Sequence, residues 1–161
     1  MIEVDAHARW RELILVSGRK AFGDASETDA ESVSRHFFVR LGKFNALGGH
    51  TCKMDLKNFT HPLHQALSDL PVTYLYLCNG SKTEAWRSTI AEYNLTGEHL
   101  VHYNLPAVQQ SAVEKYLHVS HFPTYIIFDQ EGRRVTTEDS EPKPYIPEAV
   151  RRIMQEMMNR K

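Results

Sequence analysis

Two thiols are the most reactive side chains that the sequence offers. Cys52 and Cys78 are 26 positions apart, which fits neither a zinc motif nor a framework of disulfides. Cys78 ends a predicted strand, at the sheet edge that the Cys52 loop is expected to face. A Cys52–Cys78 disulfide would need Cα atoms within about 7 Å of each other. Otherwise Cys78 is an inert buried cysteine, and the remaining thiol chemistry is that of Cys52 alone.

The histidines offer little further chemistry. His50 lies two residues before Cys52, and as an imidazolium it would lower the pKa of a neighbouring thiol. It is equally an ordinary exposed histidine of a loop. The chain has nine histidines, but none forms an H-x3-H pair or is accompanied by paired carboxylates at ligand spacing. We therefore expect no metal site and no cofactor.

Bulk composition narrows the class of protein. With 161 residues, 42% apolar and 24% charged, the chain has the size and composition of one soluble globular domain. A net charge of −1 argues against a nucleic-acid partner. No apolar run approaches the roughly 18–20 residues of a membrane span, and Leu13–Val16 is too short for the core of a signal peptide. We expect a cytoplasmic protein or one whose export signal is not in this sequence.

The stretch HVSHFPTYIIFD, residues 118–129, contains the clearest organising feature. Four apolar, β-prone residues, Tyr125–Phe128, directly follow Pro123 and its neighbour Thr124, which predicts a buried strand that starts at the proline. The turn Asp129–Gly132 and the residues Arg133–Thr137 predict a β-hairpin. The Phe122–Pro123 bond, at the mouth of the strand, is where a cis peptide would lie if the fold needs one.

Strands and helices alternate through the rest of the chain. Residues 1–34 are expected to form a helix and a polar loop whose association with the domain at 35–161 is open. Pro62 either kinks a long helix or restarts it with Thr60 as N-cap, and Gly42 is expected to mark a bulge. The order β-α-β-α-β-α-β-β-α predicts an α/β fold, a mixed sheet of four to five strands flanked by helices on both faces. The predicted strands are 36–44, 72–78, 100–103 and the hairpin. The predicted helices after the first strand are the one with the stripe Leu56–Leu70, then 83–93 with Ser81 as N-cap, 107–116 carrying Val108, Ala112, Val113 and Tyr116, and 148–159.

An ordered set of short motifs resembles the thioredoxin superfamily, and within it the TlpA-like thiol-disulfide oxidoreductases. The motifs are VTYLYLCNG at 72–80, W-x3-I-x2-Y-x-L-x-G-E-H at 86–99, and FPTYIIFDQEG at 122–132. The resemblance runs from Val72 to about Ile153. It implies a thioredoxin-like fold and a periplasmic, extracytoplasmic location, with a cytoplasmic one as the alternative.

The family's reactive C-x-x-C is incomplete in this chain. Residues 44–54, FNALGGHTCKM, are similar to the family's F-W-A-x-W-C-G-P-C-K-M, which puts Gly49 at the nucleophile and Cys52 at the resolving cysteine. Lys43 would then occupy the position of the family's buried acidic residue. A second alignment matches Pro62 to the family's helix proline and leaves Met54 and Lys57 at the two positions, with no thiol at all.

The resemblance also implies a binding surface. In this superfamily the residue before the cis-proline pairs with an extended peptide, and here that residue is Phe122, whose ring could fill the groove or contact a client. We expect binding by Phe122, Pro123, Gly49, His50 and Thr51. The sequence thus predicts a redox-inactive or weakly active protein that binds a peptide or protein client. The alternatives are an oxidoreductase that acts through Cys52 and a structural domain of a larger envelope protein.

Overall fold

The computed structural model describes residues 5–21, 35–42, 50–79, 82–136, 141–143 and 145–159. These residues form five helices and four strands in alternation. In chain order they are α1 (Ala6–Ala21), β1 (His36–Gly42), α2 (His50–Ala66), β2 (Val72–Asn79), α3 (Thr83–Glu92), β3 (Leu100–Leu105), α4 (Ala107–Tyr116), β4 (Thr124–Phe128) and α5 (Pro147–Asn159).

The four strands form one mixed sheet in the order β3-β2-β1-β4. The strand β2 runs parallel to both β1 and β3, and β4 runs antiparallel to β1. Every residue of β1 is buried, which explains why this segment shows little alternation of polar and apolar residues: a strand covered on both faces reads as nearly continuous apolar sequence. The mixed sheet flanked by helices on both faces is the predicted fold class.

Each face of the sheet has its own core. On one face Phe38 and Ile127 pack with Leu56 and Leu63 of α2 and with Met154 of α5. On the other face the alternate residues of the same strands pack with α1 and α4. Adjacent residues of a strand therefore point to opposite faces of the sheet, as the two-residue period of a β-strand requires.

The helix α1 covers part of the second face. Trp10 and Leu13 are buried in the same cluster as Val39 and Ile126, and the Trp10 ring lies 4.6 Å from the ring of Phe128 between centroids. The two residues are three positions apart and so lie on one face of the helix. The packing shows that these residues contribute to the core of the sheet.

The outer edge of β4 differs from the expected hairpin. Within the described residues the returning segment makes only one isolated bridge, between Phe128 and Arg134. Its next contacts use side chains: the Thr136 hydroxyl accepts the Ile127 N–H at 3.0 Å, and the Glu141 carboxylate accepts the Tyr125 N–H at 3.1 Å. Side chains thus satisfy two donors that a further strand would otherwise pair.

Local expectations in four elements differ in detail from the structure. The helix α2 continues through Pro62 and does not restart at Thr60. Gly42 pairs in register with Cys78, so no bulge lies there. In α4 Val108 is 69% exposed while Gln110 is buried, because the helix turns a different stripe to the sheet. The N-cap of α3 is Lys82, not Ser81, and no side chain caps it.

The hydrogen bond by which Thr136 pairs the outer edge of β4 can be tested by an isosteric substitution. Thr136→Val keeps the shape of this buried side chain but leaves the Ile127 N–H without an acceptor. We expect a loss of about 1–3 kcal/mol in the free energy of unfolding, measured by urea denaturation. Thr96→Val, at an exposed position, is the matched control. Equal stability of the two variants would show that the hydroxyl does not close the strand.

Candidate functional site

The loop before β4 carries a cis peptide bond between Phe122 and Pro123. The Thr124 hydroxyl donates to the His121 carbonyl at 2.5 Å, which closes the loop on itself. The Phe122 side chain packs against the cluster on the α1 face of the sheet. The side chains that this loop turns to the other face are those of His121 and Pro123. The Phe122 ring therefore does not fill the groove suggested by the sequence.

A cavity of about 420 Å³ opens beside Pro123. We call it the Pro123 groove. It lies between α2, the 121–125 segment and the proline-rich segment before α5. Its walls are largely apolar and aromatic, with a few polar groups, as in many binding sites. Its lining residues are Met54, Asp55, Asn58, Phe59, His121, Pro123, Tyr125, Glu141, Pro142, Lys143 and Tyr145.

Glu141 fastens one wall of the groove to the loop. One carboxylate oxygen accepts the backbone N–H of Tyr125 at 3.1 Å, and the other lies 3.1 Å from His121 Nε2. The Glu141 side chain is largely buried, whereas that of His121 is mostly exposed. This carboxylate thereby ties the segment before α5 to the start of β4.

The base of the groove contains a buried ion pair. Arg40 on β1 is only 1% exposed, and its Nε donates to Asp55 Oδ2 on α2 at 3.3 Å. The guanidinium lies over the Tyr76 ring, 5.9 Å from the centroid, a favourable cation–π position. A Cβ added at Gly42 would lie 2.6 Å from Arg40 Nη1, so the glycine leaves room for this charge.

Burial and charge act on Asp55 in opposite directions. Burial raises the pKa of the Asp55 carboxyl, and the neighbouring Arg40 lowers it by a smaller amount. A carboxyl in such surroundings takes up a proton more easily than an exposed one. An arginine cannot release its proton in the same way. The two halves of the pair therefore respond differently when the other is removed.

Neutral polar groups lie behind the ion pair. His64 Nε2 is 3.1 Å from the Tyr76 hydroxyl, and the His64 ring stacks on Tyr74 at 3.9 Å between centroids. Burial lowers the pKa of His64 to about 4, so its ring is neutral at pH 7. Burial also raises the pKa of Tyr76. This region can exchange hydrogen bonds but holds no reactive charge at neutral pH.

The structure places the predicted thiol residues only in part. Lys43 and Gly49 lie outside the described residues. The backbone of His50, Thr51 and Cys52 forms the start of α2, two to four residues before Met54 in the groove wall. Cys78 is buried near the end of β2. A disulfide between the two cysteines stays a prediction.

The described ranges contain neither a metal-binding cluster nor a membrane-spanning helix. No three side chains of histidine, cysteine, aspartate or glutamate come together there as a metal site. None of the helices in these ranges is both long and apolar enough to cross a membrane.

Four residues of the site were not predicted from the sequence. Arg40, Asp55, Tyr125 and Glu141 come from four separate segments. Arg40 gave one usable signal, because a charge inside an otherwise apolar strand must find a partner once the strand is buried on both faces. Glu141 stands before a proline in a polar stretch and gave no signal.

Comparison with solved structures identifies the fold. The thioredoxin domain of a thiol-disulfide oxidoreductase from Bacteroides vulgatus superposes with a TM-score of 0.57 at 16% identity, over 75% of this chain and 80% of that one. A thiol:disulfide interchange protein from Bacteroides sp. gives 0.59 at 17% identity, over 76% and 74%. A secreted disulfide oxidoreductase from Mycobacterium tuberculosis, homologous to DsbE of E. coli, gives 0.51 at 13% identity, over 77% and 86%.

The chain therefore has the thioredoxin-like fold, and its structural neighbours are thiol-disulfide oxidoreductases. The resemblance first indicated by the motifs at 72–132 is confirmed at the level of the fold. No protein-family model matches the sequence, and no curated protein matches it.

The two halves of the Arg40–Asp55 ion pair are expected to contribute unequally to stability, because only the carboxyl can become neutral. Asp55→Leu leaves the fully buried guanidinium of Arg40 without this carboxylate, and we expect a loss of about 3–5 kcal/mol. Arg40→Met leaves a carboxyl that can take up a proton beside the open groove, so its loss is expected to be smaller. Urea denaturation at pH 7 measures both. A larger loss in Arg40→Met would contradict this account of the pair.

Proposed function

We propose that this protein is a redox-inactive or weakly active relative of the thiol-disulfide oxidoreductases that binds a peptide or protein partner in the Pro123 groove. The observation that carries the proposal is the groove itself. It places exposed apolar side chains, Met54 and Tyr145 among them, beside the cis-proline loop. Exposed apolar residues gathered in one concave patch are typical of a binding surface.

The sequence argues against ordinary dithiol chemistry. In that chemistry one thiolate attacks the substrate disulfide, and a second cysteine resolves the mixed disulfide. The two cysteines of this chain are 26 positions apart, so no C-x-x-C exists. In the alignment of residues 44–54 with the family's motif, Gly49 replaces the attacking cysteine. A helix that includes Cys52 at its start supports that alignment.

The alternative is an oxidoreductase that acts through Cys52. The N-terminal end of a helix stabilises a thiolate and makes it a better nucleophile, and Cys52 is the third residue of α2. Such a protein would form a mixed disulfide and require a second thiol, from a partner or from glutathione, to release it.

The structural neighbours also bear on the cellular compartment of the protein. One structural neighbour, the Mycobacterium tuberculosis protein, is described as secreted. We propose an extracytoplasmic location for this chain as well, with the cytoplasm as the alternative.

The redox part of the proposal is tested by insulin reduction with dithiothreitol. We expect the protein and its Cys52→Ser variant to give the rate of dithiothreitol alone. Gly49→Cys restores the spacing C-x-x-C with Cys52, and we expect that variant to accelerate the reaction, because a resolving pair is then present. Turnover by the unmodified protein that disappears in Cys52→Ser would contradict the proposal and favour the alternative.

The binding part is tested with peptides selected from a random display library against the whole protein. Tyr145→Ala removes an exposed aromatic wall of the groove. Because buried aromatic contacts often dominate interfaces, we expect the Kd to rise by about 10-fold or more, measured by calorimetry.

Val108→Ala is the matched control, since Val108 is as exposed as Tyr145 but lies on α4, on the other face of the sheet. Its Kd is expected to stay unchanged. A failure of all selected peptides to respond to Tyr145→Ala would place the partner elsewhere on the protein.

A further inference from the structure

Tyr125 lines the Pro123 groove, and its side chain carries a hydrogen-bonding group that the described residues leave unpaired. The residue is 6% exposed, and its ring packs 5.6 Å from that of Phe38 between centroids. Its hydroxyl is buried and has no hydrogen-bond partner among the residues that the structure describes. A buried hydroxyl without a partner costs free energy. A ligand that reaches this hydroxyl would recover that cost.

Asp55 offers a complementary group in the same groove. Its Oδ2 accepts from Arg40, whereas its other oxygen accepts no hydrogen bond from the described part of the chain. Asp55 and Tyr125 are close together, because both adjoin Arg40: Tyr125 is the cross-strand partner of Arg40, and Asp55 is 3.3 Å from its Nε. The groove thus presents one acceptor and one hydroxyl that can donate.

The walls around these two groups favour a flat ring. Phe59 and Tyr145 pack against each other, with centroids 5.8 Å apart and planes tilted by 56°, and Met54, Pro123 and Pro142 complete the apolar lining. Aromatic side chains pack well against such walls in edge or offset arrangements. A volume of about 420 Å³ leaves room for a ring together with part of its peptide backbone.

The charges of the groove favour a neutral occupant. The carboxylate of Asp55 is already paired with Arg40, and that of Glu141 lies beside His121. A lysine or arginine that approached Asp55 would also meet the positive charge of Arg40. A carboxylate or phosphate would meet Asp55 and Glu141, although Lys143 also lines the groove. At the base, the Asp55–Arg40 pair offers neither kind of ion an uncompensated counter-charge.

We propose that the Pro123 groove recognises a tyrosine side chain of the partner, with the phenol donating to Asp55 and accepting from the Tyr125 hydroxyl. A phenol does both at one atom, whereas an indole only donates and a phenyl ring does neither. The proposal rests on the proposed function, because it names the residue that a bound peptide places in the groove.

Blocked amino acids test this recognition without knowledge of the partner. The probes are N-acetyl-L-tyrosinamide and N-acetyl-L-phenylalaninamide, titrated into the whole protein and followed by backbone amide shifts. We expect the tyrosine probe to bind about 10-fold more tightly and to shift the amides around Tyr125 and Asp55. N-acetyl-L-lysinamide is expected to bind more weakly than either.

Tyr125→Phe is the decisive variant. Because the hydroxyl has no partner in the described structure, its removal is expected to leave the stability unchanged or slightly higher. The preference for the tyrosine probe should fall to about 2-fold or less, with the phenylalanine probe unaffected. Tyr116→Phe, an exposed position whose hydroxyl contacts His7, is the matched control and should keep the full preference.

The outcomes separate this inference from the proposed function. Equal binding of the two probes, no binding of either, a preference retained in Tyr125→Phe, or tighter binding of the lysine probe overturns the tyrosine site. If selected peptides bind the groove without a tyrosine preference, the tyrosine site is overturned while the proposed function stands. If the tyrosine probe binds as expected but no peptide does, the tyrosine site stands and the proposed function is overturned.

Discussion

The buried guanidinium of Arg40 is the constraint on which the site depends. A charge that is 1% exposed in the middle of a sheet must be compensated, and the compensation draws on several elements. Asp55 supplies a carboxylate from α2, Tyr76 supplies the face of a ring from β2, and Gly42 supplies space. The same interaction holds α2 against β1 and so fixes the position of one wall of the groove.

The opposite wall depends on a second carboxylate. Glu141 closes the outer edge of β4 at Tyr125 and lies beside His121, while Thr136 closes the edge at Ile127. Side chains therefore take the place of a further strand at these two points. The result is a groove with one wall on a helix and the other on a segment that is pinned by single side chains to the cis-proline loop.

The proposed absence of dithiol chemistry is compatible with a retained groove in physical terms. Dithiol exchange needs two sulfur atoms at a fixed spacing, and a single substitution at either position would remove it. Recognition of a partner depends on shape, apolar area and a few hydrogen-bonding groups, which are spread over residues from Met54 to Tyr145. A fold can therefore lose the first without losing the second.

The fold was largely predictable because it follows from local patterns. The strands 72–78 and 124–128 and the helices 107–116 and 148–159 carry their own periodicity and boundaries, and the structure has them within one or two residues. The face of α4 was predictable only in part, since Val113 is buried but Gln110 is buried as well, while Val108 is exposed. This helix contacts both α1 and the sheet, and no local pattern contains those contacts.

The groove was predictable only in its cis-proline loop. Its base joins Arg40 to Asp55, 15 residues apart on a strand and a helix, and its far wall adds Glu141 from another segment. Such contacts depend on how whole elements are placed. The Phe122 ring shows the same limit, because the motif gives the backbone position but not the sheet face to which the ring turns.

The central claim is that the Pro123 groove binds its partner without help from sulfur. The most direct measurement is the Kd of a groove-binding peptide for the whole protein and for its Cys52→Ser variant, by calorimetry under non-reducing conditions. The account predicts values that agree within about 2-fold. A loss of about 10-fold or more in Cys52→Ser, or a covalent adduct with the unmodified protein, would contradict it.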